Sequence, residues 1–112
     1  MMDELDEIER STWELLQEIR ESAVYRTYRQ EEERLAADPA LRERVKQFRG
    51  ANFHLHQGGS DVDMQRVYEE SASLQKIPQV NAYLEAELAL CRLVQKVCRT
   101  LTEGIDFDAP EL

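Results

Sequence analysis

The sequence predicts an all-α fold, a bundle of about five helices with a long apolar C-terminal helix that self-associates. Three observations carry this. Only four Gly and three Pro interrupt 112 residues, too few turns for an all-β chain. Glu, Ala, Leu, Arg and Gln dominate, and these are strong helix formers. Apolar residues recur at spacings of three and four, which gathers them on one side of a helix. The chain is 42% hydrophobic and 33% charged, enough apolar material for a core. Its length fits one domain, residues 1–112, with an acidic tail at 103–112.

The first helix carries Leu5, Ile8, Thr12, Leu15, Leu16 and Ile19 on one face, with Trp13 off its centre. Ser22 is suited to cap a second helix, which places Tyr25, Tyr28 and Leu35 on one side. Nothing at Arg20-Glu21 forces a break, so one continuous helix is the alternative there. Asp38-Pro39 restarts the chain: Asp38 accepts a backbone N–H as N-cap, and Pro39 fits the first helical position. Leu41, Val45, Phe48, Asn52 and Leu55 follow at 4-3-4-3 spacing. Such a seam suits packing along another helix, and these five residues are the expected dimer interface, with Asn52 setting register. Gly58-Gly59 is expected to end this helix and Ser60 to cap a fourth bearing Met64, Val67, Tyr68, Leu74 and Ile77. Pro78 opens the fifth, with Leu84, Leu88, Cys91, Val94, Cys98 and Leu101 along one side and Tyr83, Ala86, Leu90, Leu93 and Val97 broadening it. A helix apolar on most sides is buried on most sides, so this one is expected at the centre. Gly104 is expected to close it, and the acidic tail to dock back through Ile105 and Phe107.

The net charge of −9 repels nucleic acid and anionic lipid. No apolar run reaches the roughly 18 residues of a spanning helix. The acidic start, Met1-Met2-Asp3-Glu4, lacks the basic and apolar regions of a secretory signal. The expectation is a cytoplasmic protein without membrane insertion or direct nucleic-acid contact. Cys91 and Cys98 stand seven residues apart, about 10.5 Å along a helix. That is too far for a disulfide within one helix, and both read as small buried hydrophobes. His54 and His56 point about 200° apart on a helix and do not share an ion. The basic and aromatic stretches, Tyr25 to Arg34 and Arg42 to Arg49, are interleaved with glutamates and read as solvated faces. No nucleophile–base spacing or phosphate-cradling loop stands out. No catalytic, metal or cofactor residue is assigned.

The ordered pattern is similar to a known family. Ser22-Ala-Val-Tyr25-Arg-Thr-Tyr28 leads to Asp38-Pro39, then Val45-Lys-Gln-Phe48, then Val80-Asn-Ala-Tyr83-Leu84-Glu85-Ala86-Glu87, and the chain ends through Gly104-Ile-Asp-Phe-Asp108. This resembles the YlbF/YmcA/YheA family of small helical regulators from Gram-positive bacteria, over roughly Ile8 to Asp108. The resemblance implies a self-associating helical bundle without catalysis of its own. It also implies protein partners, since relatives form a complex with a third protein, YaaT. That complex works with the endoribonuclease RNase Y in mRNA processing and promotes competence, sporulation and biofilm formation. Some relatives carry iron–sulfur clusters through several cysteines near the C-terminus. This chain has only Cys91 and Cys98 and none after them, so it looks closer to the YheA-like members.

Two classes of role follow. One is an adaptor subunit of a regulatory complex. The other is a structural homo-oligomer that holds a small ligand. A four-iron cluster takes four thiolates and one chain supplies two. The protein is therefore expected to purify colourless under anaerobic conditions; a brown preparation with thiolate-to-iron absorbance contradicts this.

Overall fold

The computed structural model describes residues 4–58 and 61–105. Among them are five α-helices and no strand: α1 (Glu4–Glu21), α2 (Ala23–Ala36), α3 (Pro39–His56), α4 (Asp61–Gln75) and α5 (Pro78–Ile105). The all-α reading is correct.

One residue separates α1 from α2. Ser22 is extended (φ −70°, ψ 153°), its Oγ accepts the Tyr25 N–H at 3.2 Å, and its hydroxyl donates to the Ile19 carbonyl at 2.6 Å. The cap satisfies an otherwise orphaned donor of α2 and an acceptor of α1, and it sets aside a continuous helix. At the next junction Asp38 Oδ1 accepts the Leu41 N–H at 3.2 Å, with Pro39 opening α3 as expected. α3 ends at His56, before the glycines. Gly58 then turns the chain at φ 109°, a conformation that costs a residue with a Cβ and leaves glycine free. Gly59, the proposed cap Ser60 and the tail residue Phe107 lie outside the described residues. α5 passes through Gly104 to Ile105, so Gly104 does not close it. Ile105 is 65% exposed at the end of the helix and is not docked on the bundle.

The core sits where α2, α3, α4 and the start of α5 meet. It consists of Leu35, Leu41, Val45, Leu74, Val80 and Tyr83, with Tyr28, Phe48, Ile77 and Leu84 packed against it. Leu74 and Val80 are fully enclosed. Arg44 ties α3 to α4 at the rim: its Nε donates to Glu70 Oε1 and its Nη2 to Ser73 Oγ, both at 2.7 Å.

The expectation of a central fifth helix needs correction. α5 is 28 residues long, about 42 Å, yet its buried residues are Val80, Tyr83 and Ala86, all near its start. Beyond them Leu88, Val94 and Leu101 are exposed. The reason is length: α2 has 14 residues, about 21 Å, and covers only half of α5. α1 contains no buried residue at all. The molecule is accordingly elongated, 59 × 33 × 20 Å. Its radius of gyration is 18.5 Å, where a compact chain of this length has about 13 Å.

Leu74→Ala is expected to lower stability by about 2–5 kcal/mol through the cavity it leaves, and Ser22→Ala by about 1 kcal/mol. Urea unfolding followed by far-ultraviolet circular dichroism measures both.

Candidate functional site

Among the described residues, a cleft of about 530 Å³ lies between α2 and α3, floored by Tyr83 of α5. Its construction follows from helix periodicity. Arg42, Lys46 and Arg49 stand at i, i+4 and i+7 on α3 and share one face; they form one wall. Glu32 and Ala36 of α2 face them, and Leu35 and Val45 reach the cleft from the core. Arg42 and Lys46, with Glu43 between them and Glu32 opposite, thus overlook an apolar base.

The floor is held by a polar knot. Arg49 Nη2 donates to both carboxylate oxygens of Glu87 at 2.5 Å, and its guanidinium lies 5.3 Å from the centre of the Tyr83 ring. Tyr83 Oη donates to Glu87 Oε2 at 3.2 Å, one helical turn along α5. The Tyr28 ring packs on Tyr83 with centroids 5.9 Å apart, and Tyr25 continues the series at 6.4 Å. Burial pushes the Tyr28 hydroxyl above the usual tyrosine range, and its bonding to Tyr83 and the charge of Glu32 add to this. For Arg49, burial pulls the other way, but the hydrogen bond and negative charge of Glu87 outweigh it and hold the guanidinium above its ordinary value. The same Glu87 contact holds the guanidinium over the Tyr83 ring. Among the described residues no ion pair forms at Arg42 or Lys46, which leaves their charges facing the opening.

A second cleft of about 410 Å³ lies between α3 and α4, with Phe48 and Val67 at its base and Arg44, Arg66, Glu69 and Glu70 around it.

The expected interface residues of α3 are not gathered on one free surface. Leu41 and Val45 are buried in the chain's own core. Phe48 is half-buried against that core and lines the second cleft, and Asn52 and Leu55 are half-buried further along. A 4-3-4-3 seam serves packing inside a chain as well as between chains, and here its first half is used inside. Cys91 is exposed, contrary to the expectation of burial, and Cys98 is half-buried. His56 Nδ1 lies 2.8 Å from the Asn52 carbonyl. Among the described residues no group of three or more His, Cys, Asp or Glu could hold a metal ion, and no helix is long and apolar enough to cross a membrane. The Tyr83–Arg49–Glu87 knot was not assigned from sequence, although Tyr83 and Glu87 stand at i and i+4 within the motif Val80 to Glu87.

Comparison with known proteins matches residues 8–106 to the family model described as control of competence regulator ComK, YlbF/YmcA. The chain belongs to the YlbF/YmcA family. A UPF0342 protein of Caldicellulosiruptor bescii is 25% identical, with 85% of this chain and 85% of that protein aligned. No solved structure matches significantly. The YlbF/YmcA match takes in both clefts and all of α5 up to Ile105, so the features above belong to the family domain and not to an extension of it.

The raised Tyr28 value has a defined consequence. Its stabilising contribution is fully present below the ordinary tyrosine value of about 10. It is lost as pH rises above that, because the unfolded chain releases the proton while the folded one still holds it. Urea midpoints are expected to fall between about pH 8 and about pH 11, and the fall should be smaller in Tyr28→Phe.

Proposed function

We propose that this YlbF/YmcA-family chain is a non-catalytic adaptor that acts by binding other protein subunits. In this reading it joins a cytoplasmic regulatory complex that influences RNA processing with RNase Y, and through it competence, sporulation and biofilm formation. RNA is reached through partners and not by direct contact, since the net charge of −9 opposes a polyanion. The reading needs no cofactor or metal. The observation that carries it is the match to a competence-regulator family across residues 8–106.

The cleft supports the same reading. Arg42 and Lys46 stand above the apolar base formed by Leu35 and Val45. Cations around an apolar floor suit a partner segment that carries both carboxylates and an anchoring side chain. The Arg49–Glu87–Tyr83 knot keeps that floor in one arrangement before any partner arrives, which reduces the ordering cost of association.

Affinity purification of the tagged chain from cells that carry it naturally tests this. RNase Y or its associated subunits should be recovered, and Arg42→Glu with Lys46→Glu should lose them while helicity is unchanged. Recovery of the chain alone, even after cross-linking, rejects the adaptor reading.

A further inference from the structure

The cleft between α2 and α3 has a closed end. Ala36 is the last residue of α2 and Pro39 the first of α3, and both line the cleft, so it runs into the corner where the two helices are joined. The backbone of that corner is already engaged. The Ala37 N–H donates to the Glu33 carbonyl and the Asp38 N–H to the Leu35 carbonyl, each at 3.1 Å, and the Asp38 carboxylate caps α3. What the corner presents is apolar surface, from Ala36 and Pro39 with Leu35 and Val45 behind them. The cations are set back from it by helical rise. Arg42 follows Pro39 by three residues, about 4.5 Å, and Lys46 follows Arg42 by four, about 6 Å, on one side of α3.

We propose that this end of the cleft receives the C-terminal residue of a partner protein, with its apolar side chain in the corner and its main-chain carboxylate on Arg42 and Lys46. The proposal rests on the adaptor reading and names the part of the partner that the cleft holds.

Two observations select a chain end as the occupant. The first is shape. A segment that runs on past the corner has to climb over the α2–α3 turn, whereas one that stops there does not. A C-terminal residue carries an apolar side chain and a carboxylate on the same carbon, which matches an apolar corner with cations one turn back. An internal Asp or Glu puts its charge where the anchor has to be. Capture of a terminal carboxylate by grouped donors is a recurring mode of peptide recognition. The second is the charge balance. Glu32 pairs with Arg29 at 2.7 Å, and Glu87 accepts from Arg49, so those two acids of the neighbourhood are neutralised. Arg42 and Lys46 remain without an ion pair among the described residues, with Glu43 beside them. Two cations against one carboxylate leave a local surplus of one positive charge, and a C-terminus brings one negative charge. Glu43 also repels a run of acidic groups, so the balance favours a single carboxylate over a polyanion.

Random heptapeptides displayed with free C-termini test the proposal. Selection on the purified chain should enrich peptides that end in a large apolar residue. In fluorescence polarisation, a labelled peptide from that pool should bind saturably, and its C-terminal amide should bind about tenfold more weakly or worse. Arg42→Gln with Lys46→Gln should weaken the free acid by about tenfold or more, and Glu43→Gln should strengthen it. Ala36→Leu fills the corner while leaving the charges in place, and should abolish binding. Circular dichroism checks that each variant keeps its helicity; if one unfolds, the comparison of acid with amide on the wild-type chain still decides. Absence of enrichment, equal affinity for acid and amide, or folded variants that bind like the wild type overturn the proposal. A chain that captures RNase Y subunits yet binds acid and amide alike rejects the chain end and leaves the adaptor reading intact. A chain that prefers the free acid but captures no partner from cells rejects the adaptor reading alone.

Discussion

The mismatch in length between α5 and the helices laid against it governs the architecture. α5 offers about 42 Å of apolar surface and α2 covers about half of it. At the covered end, Val80 and Tyr83 meet Leu35, Leu41, Val45 and Leu74 in the core. At the other end the same helix continues as an arm. Hydrophobic stabilisation follows the area removed from water, so the chain's stability is concentrated in its covered half. The uncovered half keeps its apolar stripe available for contacts between molecules.

Tyr83 belongs both to the core and to the cleft floor. Its ring is part of the core, with Tyr28 packed on it. Its hydroxyl and its face belong to the knot with Glu87 and Arg49 that floors the cleft. Tyr83 thus links the cleft floor to the core, alongside Leu35 and Val45, which line both. Arg42 and Lys46, two positions of the same α3 face without a role in the knot, are free to change with little effect on packing. In the adaptor reading, this division would leave partner contacts to side chains that the fold does not need.

The helix boundaries were largely legible in the sequence because they rest on local chemistry. Ser22 and Asp38 accept from the N–H three residues on, and proline opens α3 and α5. Burial was less legible. Periodicity identifies an apolar face but not the length over which another element covers it, so α5 read as central when only its beginning is. The same ambiguity affected Leu41 and Val45, whose seam spacing is equally compatible with a core and an interface. It also affected Cys91, which sits on an exposed face of α5. The charged knot depends on Arg49 and Glu87, 38 positions apart, and no local pattern in one sequence brings such a pair together. Family membership was legible for a different reason: the motifs around Ser22, Asp38-Pro39 and Val80 to Glu87 occur in order along nearly the whole domain.

The cleft and the outer part of α5 also differ in the physics that would govern contacts made on them. The cleft wall formed by Arg42 and Lys46 acts through exposed charge, which salt screens over about 8–10 Å at physiological ionic strength. The outer stripe of α5 is apolar, with Val94, Leu101 and Ile105 exposed, and burial of apolar area is far less sensitive to salt than ion pairing is. Contacts made on the stripe would persist where contacts at the cleft weaken. The chain is elongated, with its core at one end of α5 and the exposed stripe at the other, so neither surface has to be dismantled for the other to be used.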